Sequence, residues 1–351
     1  VPDTREPARQ PAQEPAGAAS RVLRAPQALL RHPPYRRATT IVCVALAMAA
    51  LFVTSYVDAL GRPAARAVDV AVVTGSGADA AGGPVDQLQA ALRHGLVVHP
   101  AADAAAAREA VAEQRAYAVV DLDDGTPRLQ LSSASGSSVA RVLTTAALGV
   151  SDSTGQRWAV SDLHPLPSSD PSGLAVFYLV LGSTILGFVT TFQLRANAKP
   201  LPLRDWLAFT GGLSVLGGLV LAATAQGLGV PVVLWEAWGL LTLQMATASA
   251  FAGTAALVVG RWAVLPTWLL FVVLGNTSSG GAVAPGLLPE PFSTLSRVLP
   301  TGSTVSALRS AAYFPDTQHL EPVLVLLAWA VGTSAVLVAV SRLRGRSPGE
   351  E

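Results

Sequence analysis

Apolar residues in this chain are gathered into blocks, and several blocks approach the ~20 residues needed to cross the hydrocarbon core of a bilayer. That grouping constrains the fold more than anything else in the sequence. A segment in lipid must satisfy its own backbone hydrogen bonds, so such blocks can only be helices. The chain is 51% hydrophobic and 13% charged, against about a quarter charged in ordinary soluble domains. Spans are predicted at 39–60, 173–194, 206–228, 232–259, 263–274 and 323–340. The fifth is short unless it continues past Gly275.

The segments between the spans set the rest of the organisation. Residues 1–38 are rich in Pro, Ala and Arg without a sustained period and read as a disordered cytoplasmic tail. The span at 39–60 follows as an uncleaved anchor. Residues 61–172 hold no long apolar run. Strands are predicted at 67–73, 96–98, 116–122 and 128–131, and helices at 84–93, 103–115 and 137–148. The result is a small β-α-β-α-β-β-α domain, with 162–172 as a linker back to the membrane. Segment 65–161 is expected to fold alone. Residues 173–341 form a five-helix transmembrane domain with a broken outer hairpin at 275–322, and 342–351 is a second cytoplasmic tail. The fold class is therefore an α-helical polytopic membrane protein of about six transmembrane helices, with an extracytoplasmic α/β domain inserted between the first and second.

Orientation follows from the basic residues. Arg195, Lys199, Arg204, Arg261, Arg342, Arg344 and Arg346 fall in the segments that share a side with the arginine-rich tail, whereas the short loop near Pro231 has none. The positive-inside rule places both termini in the cytoplasm of a plasma-membrane protein.

Several functions are excluded or unsupported. Lys199 is the only lysine and precedes Pro200, so the chain has no phosphate-cradling loop ending in Lys-Ser or Lys-Thr. The glycine cluster at 75–83 lacks dinucleotide spacing and reads as a flexible loop. Asp121, Asp123 and Asp124 with Gly125 lack the glycine position and the closing glutamate of a calcium loop. The five histidines show no ligand spacing, and Cys43 is the only cysteine. No catalytic constellation, metal or cofactor is predicted, and a net charge of +1 gives no nucleic-acid signal. The lipid bilayer is the one partner the sequence itself demands.

Candidate functional residues lie in and near the spans. Glu236 sits between Trp235 and Trp238 near the outer end of the fourth span: an intramembrane acid with a role, or an interfacial residue. Gln226 and Gln244 are expected to bond between helices, and the stripes Ser214, Gly218, Ala222 and Ala246, Ala250, Thr254 to let helices approach closely. In the hairpin, Ser278-Ser279-Gly280-Gly281 breaks the fifth helix, and Pro285, Pro289 and Pro291 keep it broken. Phe292, Leu295, Leu299 and then Val305, Leu308, Ala312 form the apolar faces of two amphipathic helices at the outer leaflet. Gly280 and Gly281 are candidates for a gating hinge. Arg309 is either an interfacial anchor reaching headgroups, or a bidentate clamp on a phosphate or on a carboxylate such as Glu236 or Glu290.

The run SSGG, with Pro285, Leu288-Pro289, Phe292, Leu299-Pro300 and Ala307-Leu308-Arg309, resembles the closing signature of the phage-infection-protein-like membrane family, within the type-2 ABC exporter permease group. Gln244 falls where that family often has a glutamine. The layout of one span, an outer domain and five further spans is similar, although the outer domain here is short. The resemblance implies an export-type permease; because the spans lack a charged pathway, the expected cargo is an amphipathic compound such as a lipid, drug or cell-surface precursor. The resemblance also implies energy from a separate P-loop ATPase subunit, and a homodimer or a paired permease. The alternative reading is a membrane scaffold or receptor whose outer domain binds cell-envelope or secretion partners.

Overall fold

The computed structural model describes residues 33–73, 83–122, 126–198, 201–345 and 347–349. Helix α1 covers Pro33–Leu60. The chain divides into two compact units, Val1–Val53 and Thr54–Glu351. Described residues of the first belong to α1; everything below concerns the second.

After α1 the chain builds a five-stranded sheet in the order β2-β1-β3-β4-β5. The elements are β1 (Val68–Val73), α2 (Pro84–Ala91), β2 (Leu96–Ala101), α3 (Ala104–Ala112), β3 (Ala118–Asp121), β4 (Arg128–Leu131), α4 (Ser137–Thr154) and β5 (Ala159–Asp162). β1 runs parallel to both β2 and β3, β3 and β4 form the expected antiparallel pair, and β5 lies parallel to β4. Alternation along β1 sends Val68, Val70 and Val72 to one face and Ala71 and Val73 to the other. The first face packs on α2 and α4 through Leu88, Val139 and Leu143. The second packs on α3 through Ala107 and Val111. The predicted turn at 123–126 and the glycine cluster at 75–83 lie almost wholly outside the described residues.

Two corrections concern this domain. Strand β5 occupies the end of the domain, where the linker was expected to begin; its four residues are all exposed, so no apolar alternation marks it. More important, the domain core is not closed by its own segment. Val283, Ala284, Leu287, Leu288 and Phe292 of the hairpin belong to the same buried cluster as Val68, Val120 and Leu129. Gly286 accepts hydrogen bonds from the Arg66 and Ala67 amides at 3.0 and 3.1 Å. A methyl group at Gly286 would stand 2.6 Å from the Ala67 carbonyl oxygen, so only glycine permits this approach.

The helical part comprises α5 (Ala175–Asn197), α6 (Leu203–Gly227), α7 (Leu234–Val259), α8 (Val264–Trp268, continuing as a π-helical stretch Leu269–Asn276), α9 (Phe292–Val298), α10 (Pro300–Tyr313) and α11 (Leu320–Arg344). Among the described residues five helices, α1, α5, α6, α7 and α11, are long and apolar enough to cross a membrane. This is the make-up of a helical membrane protein. Hydroxyls within these helices return to their own backbone, as Thr184 does to the Val180 carbonyl at 2.7 Å and Thr210 to Trp206 at 2.9 Å, which satisfies them away from water. The fifth predicted span is the short apolar helix Val264–Asn276. At ~1.5 Å per residue it reaches only about 20 Å, less than the ~30 Å hydrocarbon core.

Helix α7 is the hub, packing against α5, α6, α10 and α11. Small residues make this possible. A methyl group at Gly218 of α6 would lie 2.5 Å from the Thr242 hydroxyl, and one at Gly187 of α5 2.7 Å from the Met245 carbonyl oxygen. The Ser214, Gly218, Ala222 stripe is buried as expected, whereas Gln226 is exposed. The carboxyl end of α7 is capped by arginines. Arg195 donates to the Ala256 and Gly260 carbonyls at 3.2 and 3.0 Å, and Arg344 donates to Leu257, where cations complement the helix dipole.

Candidate functional site

The break after α8 is built from its own polar residues. The Ser278 hydroxyl donates to Leu274 at 2.6 Å, the Ser279 hydroxyl to Asn276 at 2.8 Å, and Thr277 to Val273. The Leu274 and Asn276 carbonyls also accept the Ser278 and Ser279 amides at 3.1 and 3.3 Å, so the hydroxyls reinforce the helix end. Gly280 then turns the chain at φ +72°, the left-handed conformation that glycine reaches without strain. Gly281 is needed for a different reason: a methyl group there would stand 2.5 Å from Phe177 Cδ2 and 2.8 Å from its Cβ. The Asn276 amide donates to the Tyr56 hydroxyl, tying the break to the end of α1.

Arg309, on α10, donates through Nη2 to the Gly280 carbonyl at 2.9 Å and approaches that of Gly281 at 3.4 Å. Three of the sequence-predicted residues are thus brought together. Arg309 is partly buried and braces the turn. Neither proposed acid is its partner. Glu236 accepts from Gln318 at 3.1 Å and Glu290 accepts from Ser293. The acid in its field is instead Asp170. Asp170 is buried, accepts the Leu174 and Ala175 amides at 3.0 Å each, and accepts the Tyr313 hydroxyl at 2.9 Å. Burial, and then Asp170, push the Tyr313 hydroxyl far above the usual tyrosine range, so it remains a donor. Sequence reasoning left Asp170 in a linker. An aspartate a few residues ahead of a long apolar run is a helix-start signal, and it was the available clue.

Gln244 occupies a separate place within the bundle. Its amide donates to Thr184 Oγ1 of α5 at 2.7 Å, and its Oε1 accepts from Thr304 of α10 at 2.9 Å. All three residues are buried. The expected interhelical role is confirmed, and the partners are one spanning helix and the hairpin. Helix α10 itself departs from the expected amphipathic surface helix. It begins at Pro300, and Thr301, Ser303, Thr304 and Ser310 are buried along with Val305, Leu308 and Ala312. Its polar side meets partners: Thr304 meets Gln244, and Ser310 donates to Gln114 of the α/β domain at 2.8 Å. Further bonds fasten the same junction. Gln114 donates to the Thr317 carbonyl at 3.1 Å and Thr317 to Ala112 at 2.7 Å.

A polar cavity of about 410 Å³ lies where the α/β domain, the broken hairpin and the start of α11 meet. One face of α10 forms a wall through Gly302, Ser306 and Arg309. Arg297, Tyr117 and Glu321 also line it. Burial raises the Tyr117 hydroxyl above the usual tyrosine range, and the nearby Arg309 charge opposes that rise in part. No group of three or more metal-ligating side chains occurs among the described residues. The arrangement offers hydrogen-bond donors and positive charge to a bound group. No protein-family model, curated protein or solved structure matches the chain.

Proposed function

We propose that this chain is a membrane permease subunit that exports an amphipathic compound, with energy from a separate P-loop ATPase. One observation carries the reading. Helix α10 packs on α5, α7 and α11 and at the same time bonds to the outer domain through Ser310 and Gln114. A movement of the spanning helices is thereby transmitted to the cavity and to the outer domain. In this reading α1, α5, α6, α7 and α11 cross the membrane, Val264–Asn276 enters it from the hairpin side as a sixth, shorter segment, and both termini are cytoplasmic. The arginines gathered at the carboxyl end of α7 support that orientation. Gly280, Gly281 and Arg309 form the coupling point, with Gln244 fixing α10 to the bundle and Glu236 at its outer end. The subunit works as a homodimer or beside a similar permease.

A scaffold or receptor is the second reading, favoured by Val97 and Val98, which are exposed on the edge strand β2 and could pair with a partner strand. Gentle detergent extraction of the full chain from its native membrane, followed by identification of copurifying proteins, tests the two. The permease reading expects a P-loop ATPase in stoichiometric amount and ATP-dependent transfer on reconstitution. An envelope protein in its place, with no ATPase and no transfer, would replace it by the receptor reading.

A further inference from the structure

The cavity beside α10 holds more donors than its own residues use. Arg309 spends Nη2 on the Gly280 and Gly281 carbonyls; its remaining N–H groups make no hydrogen bond among the described residues. They are also not among the buried polar atoms left without a partner, so they are accessible where Arg309 lines the cavity. The Tyr117 hydroxyl stands in the same position: it lines the cavity, makes no hydrogen bond among the described residues, and is not sealed off. The Arg297 guanidinium, exposed at the end of α9, makes neither an ion pair nor a hydrogen bond among the described residues. The Ser306 hydroxyl, exposed on the cavity face of α10, adds a further unbonded group.

We propose that this cavity binds the phosphate headgroup of an amphipathic molecule. Two guanidinium groups and two hydroxyls converge on one space, and guanidinium recognises phosphate through paired, charge-assisted hydrogen bonds. A volume of about 410 Å³ lies within the ~300–1,000 Å³ range of small-molecule sites, so the phosphate is accompanied by its substituent. Glu321, exposed at the start of α11, is the acid among the lining residues, and it directs a neutral or cationic substituent to its side. The apolar part of the ligand stays with the membrane. As an identification of cargo this rests on the permease reading. As a binding site it stands on the cavity alone.

The test measures binding without transport. The purified full chain in neutral detergent is titrated with phosphatidylglycerol, phosphatidylethanolamine and diacylglycerol of the same acyl chains, and retention is read by native mass spectrometry. One phospholipid per chain is expected, held about tenfold or more tightly than the phosphate-free diacylglycerol. Arg297→Gln, at an exposed side chain, is expected to weaken that binding about tenfold, and Ser306→Phe, which fills the space, to abolish it. Displacement by free glycerol 3-phosphate identifies a soluble phosphate as sufficient; lack of displacement identifies the lipid as the ligand. Equal retention of diacylglycerol, or phospholipid retention unchanged in both variants, overturns the proposal. Saturable binding in a chain that neither recruits an ATPase nor transfers the lipid keeps the site and removes the permease reading.

Discussion

Gly280 and Gly281 are adjacent glycines kept for unlike reasons. The first supplies a backbone angle; the second supplies space for Phe177. The difference can be measured. A methyl group at Gly281 meets the ring and Cβ of Phe177 below contact distance, and overpacking of this kind costs about 1–3 kcal/mol. Gly281→Ala is therefore expected to lower thermal stability in detergent, and Gly281→Val to lower it further and to abolish export. In a Phe177→Ala background the Gly281→Ala penalty should shrink, because the obstructing ring is gone. Strictly additive losses in the double variant would show that the glycine serves the backbone instead. Arg309 adds the second restraint, holding both carbonyls from α10. The turn is thus braced on two sides, and its movement would require Arg309 to release it.

At the scale of elements, the hairpin has two attachments and belongs to neither neighbour alone. Its first half completes the α/β domain core; α10 completes the bundle. Leu287 and Leu288 are each 1% exposed, and burying a leucine is worth about 1.5–3 kcal/mol. An isolated 65–161 segment lacks both, together with Phe292, and is left with an uncovered patch beside Val68 and Val120. Leu288→Ala in the full chain is expected to cost about 2–5 kcal/mol. The loss should appear as faster amide exchange in β1 and β3, although the substitution lies in another segment. Unchanged exchange in those strands would mean that the hairpin merely rests on the domain.

For the whole molecule, the arrangement of charge follows the long helices. Arg195 and Arg344 sit on the last carbonyls of α7, and Arg342 is in the last turn of α11. The α/β domain is bonded instead near the opposite ends of these helices, through Ser137 to the Ser172 carbonyl ahead of α5 and through Thr317, ahead of α11, to Ala112. The domain and the arginines are therefore predicted to face different compartments. Single cysteines at Ala105 and Ala196, both exposed, check this in a Cys43→Ser background. An impermeant thiol reagent should label Ala105→Cys in intact cells, and Ala196→Cys only after permeabilisation. The reverse pattern would invert the topology.

Much of this was legible in the sequence because it depends on local pattern. The long apolar helices, the alternation along β1, the hairpin of β3 and β4, and the helix-breaking SSGG run are each set by neighbouring residues, through hydropathy, side-chain period and backbone preference. Strand β5 was not legible, since its exposed residues carry no apolar alternation. The single glutamine of the fourth span was readable as a bonding residue, but not its partners Thr184 and Thr304. Arg309 could be singled out by its apolar surroundings; that it would meet two glycine carbonyls, rather than Glu236 or Glu290, depended on where α10 packs. The same holds for Asp170 and for the hairpin leucines in the domain core. Local pattern records which groups must be buried or bonded, whereas the partner is chosen by long-range packing, and only the tertiary structure brings those segments within reach of one another.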